Sequence, residues 1–310
     1  MKHWFNDDGD PPDPPDWAAF WNGEDYRHFL SLVRAELSRR GLRFEINDGV
    51  ARVHPDDGGN QLGLQNIAQK CNASAKGSWP DVIAGHFASA LGGTRELEDL
   101  EERLSDFEAV KELIKARLYP RSMMKTVPRD HLVLWDVADD LVAMLALDLP
   151  NTVASVTPET RAKWELSDAD LYRLALENVA KQDVPDVEEL DLGEGAKGRA
   201  LIGDSFFVAS HALHVSRFVD PTEHGLLLGV PHRHALLIHR IVGIEVLVAI
   251  NGMLMRLRHM HLEGPGSISD QLYWWREGEL TRLPSTVEGD TLKFQPPQSF
   301  VDDVLIPLTR

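Results

Sequence analysis

The chain has 310 residues, 43% of them hydrophobic, and its 32 Lys and Arg against 49 Asp and Glu leave a formal charge of −17. A surface this negative repels phosphate backbones and anionic lipid, since non-specific binding to both depends on Lys and Arg, so neither nucleic acid nor membrane is an expected partner. The length suffices to bury a core without staples, and the single cysteine, Cys71, cannot close an intramolecular disulfide, which fits a reducing, cytoplasmic setting.

The first residues lack the apolar run of a signal peptide. Residues 7–16 read Asp-Asp-Gly-Asp-Pro-Pro-Asp-Pro-Pro-Asp. Proline fixes φ and the aspartates repel one another, so residues 1–22 are expected to form an extended, acidic, Pro-rich arm. Trp17, Phe20 and Trp21 follow at helical spacing and are expected to dock on the body, with a partner as the alternative. Phe29, Leu32, Val33 and Leu37 recur every three or four residues, predicting a helix over 24–40 with Gly41 at its C-cap. Asn47-Asp48-Gly49, between 44–46 and 50–53, predicts a hairpin, because Asp-Gly tolerates positive φ. A loop is predicted at 58–60, and helices at 62–72 and 80–91. Residues 23–93 thus read as a small N-terminal α/β unit.

Residues 94–118 read as one long bridging helix. Thr94 is its expected cap, acidic residues crowd its start and Lys111, Lys115 and Arg117 its end. Leu97, Leu100, Leu104, Phe107, Val110, Ile114 and Leu118 would form its buried stripe. A helix is predicted over 136–147, with Val137, Leu141, Met144 and Leu145 inward. Another is predicted over 167–181, with Ser167 and Asp170 as a capping box. An acidic, Gly-rich loop follows at 183–198. Then come a strand at 205–210, a short helix at 211–218, β segments at 225–230 and 235–241, and a helix at 244–258. A hairpin closes the series, 271–276 and 280–283, turned at Glu277-Gly278. This order lacks βαβ alternation, so the fold class is α+β, with mixed sheets and packed helices: the small unit joined by the long helix to a larger unit over 119–310. The longest apolar stretch, 241–257, is interrupted by Glu245, Asn251 and Arg256 and is too short and polar to span a bilayer.

Several strings resemble chemical motifs. Residues 193–198 match G-x-G-x-x-G, but neither the strand before nor the helix after that a dinucleotide site requires is predicted, so a surface loop is expected. Asp136, Asp139 and Asp140 resemble a metal-binding run; with no second acidic cluster on a helix, a solvated helix face is the reading. Cys71 reads as a core side chain. Ser205 and Ser210 lie near His211 and His214 without the turn of a nucleophile elbow. His232 and His234 share a face if extended, and His259 and His261 repeat the spacing. Two such ribbons side by side would suit zinc; structural or surface histidine is the reading preferred. No metal or cofactor is expected. The polar residues gather at two loop ends, Asp204, His211 and His214 at one and His232, Arg233 and His234 at the other. A pocket there would use Arg233 as an anion anchor with Asp204 and His232 beside it; otherwise these groups satisfy one another.

From Leu118 onward the chain carries, in order, LYPRSM at 118–123, ALDLPN at 146–151, KWELSDADLYRLALENV at 163–179, GDSFFVASHAL at 203–213, LLLGVPHRHALLI at 226–238 and LYWWREGEL at 272–280. In that order and spacing it resembles the YtpQ-like family, a bacterial family of unknown function. The resemblance implies a cytosolic α+β protein, and neither substrate, cofactor nor functional residues. The chain departs from the pattern at His234, where the family tends to place aspartate, and in the loop at 193–198 and the arm.

Without a self-sufficient catalytic motif, the expected function is a non-enzymatic protein-binding or regulatory module. The acidic arm and exposed Trp17, Trp21 and Trp274 would serve it; in a strand one of Trp274 and Trp275 should face outward. The alternative is a hydrolase or transferase, metal-dependent or not, using the histidine-rich segment at 232–234.

Overall fold

Asn22 starts the first helix by accepting the Asp25 N–H on its side-chain oxygen at 2.9 Å, satisfying a donor that the helix cannot satisfy internally. Helix α1 spans Gly23–Arg39 and is followed by Gly41 at φ 75°. The computed structural model describes residues 14–57, 61–101, 103–125, 127–288 and 291–309, and at 93–99, 101, 287, 288, 291 and 292 the backbone alone. The arm's acidic stretch up to residue 13 and the loop at 58–60 lie outside the described residues. The chain divides into two compact units, Met1–Glu96 with Glu263–Pro265, and Leu97–Leu262 with Gly266–Arg310.

In the first unit, β1 (Phe44–Asn47) and β2 (Val50–Val53) form the expected hairpin, turned by Asp48 at φ 46° and Gly49 at φ 71°. Strand β3 (Gln61–Gly63) pairs with β2, so the helix expected from residue 62 begins three residues later, as α2 (Gln65–Asn72). Helix α3 is Trp79–Glu101. Phe29, Val33, Leu37, Ile67, Ile83 and Phe87 are fully buried together. Trp21 belongs to this core, only 8% exposed, with its ring 4.9 Å from Trp79 and 5.0 Å from Phe29. It is therefore not an exposed aromatic, and Trp17 is half-buried beside Tyr26. Cys71 is a core side chain, its thiol pushed up to about 12 by burial.

The second unit holds the main departures from expectation. The single helix over 94–118 does not form. Helix α3 stops at Glu101, Asp106 caps a four-residue α4 (Phe107–Val110), and Ile114–Pro120 is strand β4. Ile114 and Leu118, four apart, suit a helix or a strand equally, and the alternation of Ile114, Ala116 and Leu118 with Lys115 and Arg117 is the strand period. The helix over 136–147 is likewise two strands, β5 (Leu134–Ala138) and β6 (Leu141–Asp148), joined by a turn at Asp139 and Asp140. Seven of the eight β6 residues are buried, so the strand has no polar alternate positions to reveal it. β4 pairs along one edge of β6; β5 and β7 (Val153–Ser155) share the other.

Two helices follow, α5 (Pro158–Arg161) and α6 (Asp168–Gln182). Ser167 caps α6 as expected, accepting Asp170 N–H at 3.1 Å. Asn178, buried on α6, donates to the Lys111 and Ile114 carbonyls at 2.8 Å each, which fixes the start of β4 against the helix.

Residues 183–198 are not a loop. β8 (Asp186–Gly193) and β9 (Ala196–Ile202) form a hairpin, turned by Gly193, Glu194 and Gly195, all at positive φ. β8 lies at a sheet edge, mostly exposed, so its acidic sequence hides it. The sheet is six-stranded and antiparallel in the order β13-β12-β10-β11-β9-β8, with β10 at Leu226–Gly229, β11 at Ala235–Arg240, β12 at Leu272–Arg276 and β13 at Glu279–Leu283. Glu277 and Gly278, at φ 51° and 92°, turn the last hairpin as predicted. The strand expected at 205–210 is instead a turn, in which Ser205 Oγ accepts Phe207 N–H at 3.0 Å, leading into a 3-10 stretch, Val208–Arg217.

Helix α7 (Val246–Glu263) packs on one face of this sheet and the 3-10 stretch on the other. Both faces are thus covered. Trp274 packs toward the α7 side and Trp275 toward the opposite side, at 6% and 8% exposure, so neither faces outward. The chain continues through the hairpin β14 (Ser285–Glu288) and β15 (Thr291–Phe294) and is helical at 298–308. Among the described residues no helix is long and apolar enough to cross a membrane.

Gly252 sits inside α7, where Ala would ordinarily be favoured by about 1 kcal/mol. A Cβ there would lie 2.3 Å from the Leu192 carbonyl oxygen of β8. We expect Gly252→Ala to reverse the usual sign and cost about 1–3 kcal/mol in urea unfolding, because neither backbone can yield.

Candidate functional site

Strand β4 places Lys115, Arg117 and Tyr119 on one face, since alternate residues of a strand point the same way. Lys115 is 2% exposed. Its ammonium lies 2.6 Å from Asp148 Oδ2 and 2.7 Å from Asp183 Oδ2. Asp183 follows α6 directly, and its other carboxylate oxygen accepts the Ser205 hydroxyl at 2.5 Å. The Ser210 hydroxyl is taken up in the backbone, accepting Leu118 N–H at 3.1 Å.

His211 and His214 form a chain anchored on the same aspartate. His211 Nε2 faces the Asp183 backbone carbonyl at 2.6 Å, so it carries the proton and donates. His211 Nδ1 is then an acceptor, and takes the Nε2–H of His214 at 2.8 Å. His214 Nδ1 is left a buried lone pair with no hydrogen-bond partner among the described residues. Burial, then the neighbouring His211 and Arg217, push His214 down to about 3; burial also lowers His211. Both rings are neutral at physiological pH.

The second group is carried by the turn between β10 and β11. Gly203 N–H donates to the His234 carbonyl at 3.2 Å and Ala209 N–H to the Arg233 carbonyl at 3.1 Å. His234 Nδ1–H donates back to the Gly203 carbonyl at 3.2 Å. The loop ends singled out in the sequence are therefore stitched together. Arg233 Nε donates to His234 Nε2 at 2.9 Å, and the Arg233 guanidinium carbon lies 4.5 Å from the Phe206 ring centre. The Arg117 guanidinium approaches the same ring, at 5.5 Å, and Tyr119 at 4.7 Å. Arg117 is 9% exposed, and its Nε is buried without an acceptor among the described residues. Burial lowers Arg117. Arg233 is pushed down to about 10 by burial and then by Arg117. His232 is pushed down to about 4 by burial and then by His234, Arg233 and His261.

Of the six residues chosen from sequence, His232, Arg233 and His234 thus form one group and His211 and His214 another. Asp204 is exposed and joins neither through a hydrogen bond among the described residues. Arg117, Lys115, Tyr119, Asp183 and Phe206 were missed. The signal for three of them was the alternation at 114–119, obscured by reading that segment as helix.

The remaining motif-like strings are structural. Asp136 pairs with Arg121 at 2.8 Å and Arg129 at 3.3 Å, and Asp140 accepts the Tyr273 hydroxyl at 3.0 Å. The run is a tethered hairpin turn, not a solvated helix face. Residues 193–198 span the β8–β9 turn and the start of β9. Of the second histidine pair, His261 donates through Nδ1 to the Pro231 carbonyl at 3.1 Å, while His259 is exposed. Among the described residues no group of three His, Cys, Asp or Glu is placed to hold a metal ion. A cavity of about 550 Å³ opens where β9 begins and β11 ends, with His239, Lys197, Arg240, Glu189 and Glu245 on its walls. Its walls carry both signs of charge, and Arg233 is not among the residues that line it. Compared with models of known protein families, with curated proteins and with solved structures, the chain matches none.

Proposed function

We propose that this chain is a cytoplasmic, non-enzymatic binding module that recognises another protein through the rim around Arg233. The observation that carries the reading is the division of labour among the polar groups. His211, His214 and His232 are held neutral by burial, and the Ser205 and Ser210 hydroxyls are engaged by Asp183 and the backbone. What remains with unused donors is fixed positive charge, on Arg117 and Arg233. Fixed charge on a rigid frame suits recognition, whereas proton transfer needs a group that titrates near working pH.

The test is to pass cell extract over the immobilised chain and over Arg233→Met. We expect a stoichiometric partner protein on the wild type, reduced at least about tenfold by the variant, as for loss of a charged hydrogen bond. Time-dependent, Arg233-dependent consumption of an extract component would overturn the reading. One geometric observation favours the enzymatic alternative, a hydrolase or transferase: Ser205 Oγ touches a carboxylate that also touches Lys115, an arrangement able to activate a hydroxyl. On that reading, consumption is abolished by Ser205→Ala.

A further inference from the structure

We propose that Arg117 and Arg233 together form a receptor for an oxyanion, a carboxylate or phosphate group of the ligand. The inference rests on the binding-module reading of this site and names the chemistry its occupant must carry.

Arg117 is buried by nine-tenths, yet no hydrogen bond or ion pair joins its guanidinium to any described residue. Its five N–H donors form a rigid fork matched to planar or tetrahedral oxyanions. Arg233 uses one donor, on His234. The two cations share the ring of Phe206 and disfavour one another. The nearby carboxylates Asp148 and Asp183 converge on Lys115, and Asp148 reaches Arg117 through its field alone, with no hydrogen bond to it. The other groups facing the arginines are Tyr119 and the histidines 232 and 234. His232 is kept uncharged, and His234 Nε2 accepts from Arg233, so among the described residues no anionic group touches either guanidinium.

A buried guanidinium without an anion loses hydration that a ring face only partly returns. Two such groups within one another's field lose more, since each raises the other's energy. Apolar side chains of similar volume would fill β4 and the 230–235 turn at less cost, so packing alone does not account for the pair. An oxyanion between the forks satisfies both at once, through charge-assisted hydrogen bonds that are about twice as strong as neutral ones. The same field rejects metal ions and amines.

The experiment is calorimetric titration of the full chain with sodium phosphate and, separately, sodium succinate, against sodium chloride at matched ionic strength. We expect saturable binding of one oxyanion per chain, weakened at least about tenfold in Arg117→Met and in Arg233→Met. At 100 times the dissociation constant the thermal midpoint should rise by about 4 °C. Phosphate binding alone identifies a phosphoryl source, and succinate binding alone a carboxylate. Failure of both oxyanions to exceed chloride with the wild-type chain overturns the proposal, whether or not the variants fold, and so does wild-type affinity in either variant. Loss of oxyanion binding with Arg233-dependent partner capture intact removes this inference and leaves the binding-module reading in place. Oxyanion binding without capture removes the protein partner and retains the receptor.

Discussion

Replacing Lys115 with Met is expected to lower stability by about 3–5 kcal/mol, the cost of breaking a buried ion pair from one side. Lys115 is inserted between two carboxylates, and these are not equivalent. Asp148 is 30% exposed at its side chain and Asp183 7%, so loss of the ammonium leaves Asp148 largely hydrated and Asp183 stranded. Met retains the aliphatic stem and its contact with the Phe207 ring, over which the ammonium sits at 4.8 Å, so little of the loss comes from a cavity. The second variant isolates the cause. Lys115→Met with Asp183→Asn removes the stranded charge while keeping an acceptor for the Ser205 hydroxyl. It should recover most of the loss, giving an interaction free energy of the order of 2–3 kcal/mol in a double-mutant cycle. Urea unfolding monitored by far-UV circular dichroism, with unchanged m, is the measurement. A single-variant loss below about 1 kcal/mol would show that the bridge does not hold β4 to α6. A double variant no more stable than the single would assign the loss to packing.

The same strand shows where sequence reading fails. Features set by neighbouring residues were legible. Ser167 caps a helix, Gly41 ends one, and Asp48-Gly49 and Glu277-Gly278 turn hairpins, because a cap or a positive φ needs only local chemistry. Features set by distant partners were not. β4 and β6 read as helices because their apolar residues fall at spacings that suit either period, and only pairing with one another decides between them. β8 read as a loop because an edge strand needs no apolar face. Trp274 and Trp275 follow the alternation rule, yet both are buried, since α7 and the 3-10 stretch cover opposite sides of the sheet. The site divides in the same way. Arg233 and its histidines were legible as a polar knot between two apolar segments, whereas Arg117 was invisible until Ile114–Pro120 became a strand.

Stability is expected to fall by about 4 kcal/mol between pH 7 and pH 5, and His214 and His232 set that window. Each is harder to protonate when folded. His214 is pushed to about 3 and His232 to about 4, and His211 and His239 are also lowered, by burial first in every case. The unfolded chain, with histidine near 6.5, therefore binds more protons than the folded chain below that pH. Stability then drops as pH falls through 6.5 and continues to drop until the folded groups titrate. One such histidine contributes about 1.4 kcal/mol per pH unit in the window, hence about 2 kcal/mol at pH 5. His214 and His232 together thus account for about 4 kcal/mol, and His211, which shares a hydrogen bond with His214 and titrates with it, and His239 add to the same slope. The carboxylates held low by arginines, Asp57 beside Arg43 and Asp136 beside Arg121, have the opposite sense. Their stabilisation is complete above about pH 4 and is lost only below it, so the two effects separate on the pH axis. His214→Gln should flatten the slope between pH 6.5 and 5 by up to one proton and leave the loss below pH 4 unchanged. A wild-type urea midpoint that stays constant from pH 7 to 5 would mean that these rings accept protons as easily folded as unfolded. The neutral, desolvated frame on which the recognition site depends would then be lost as a premise.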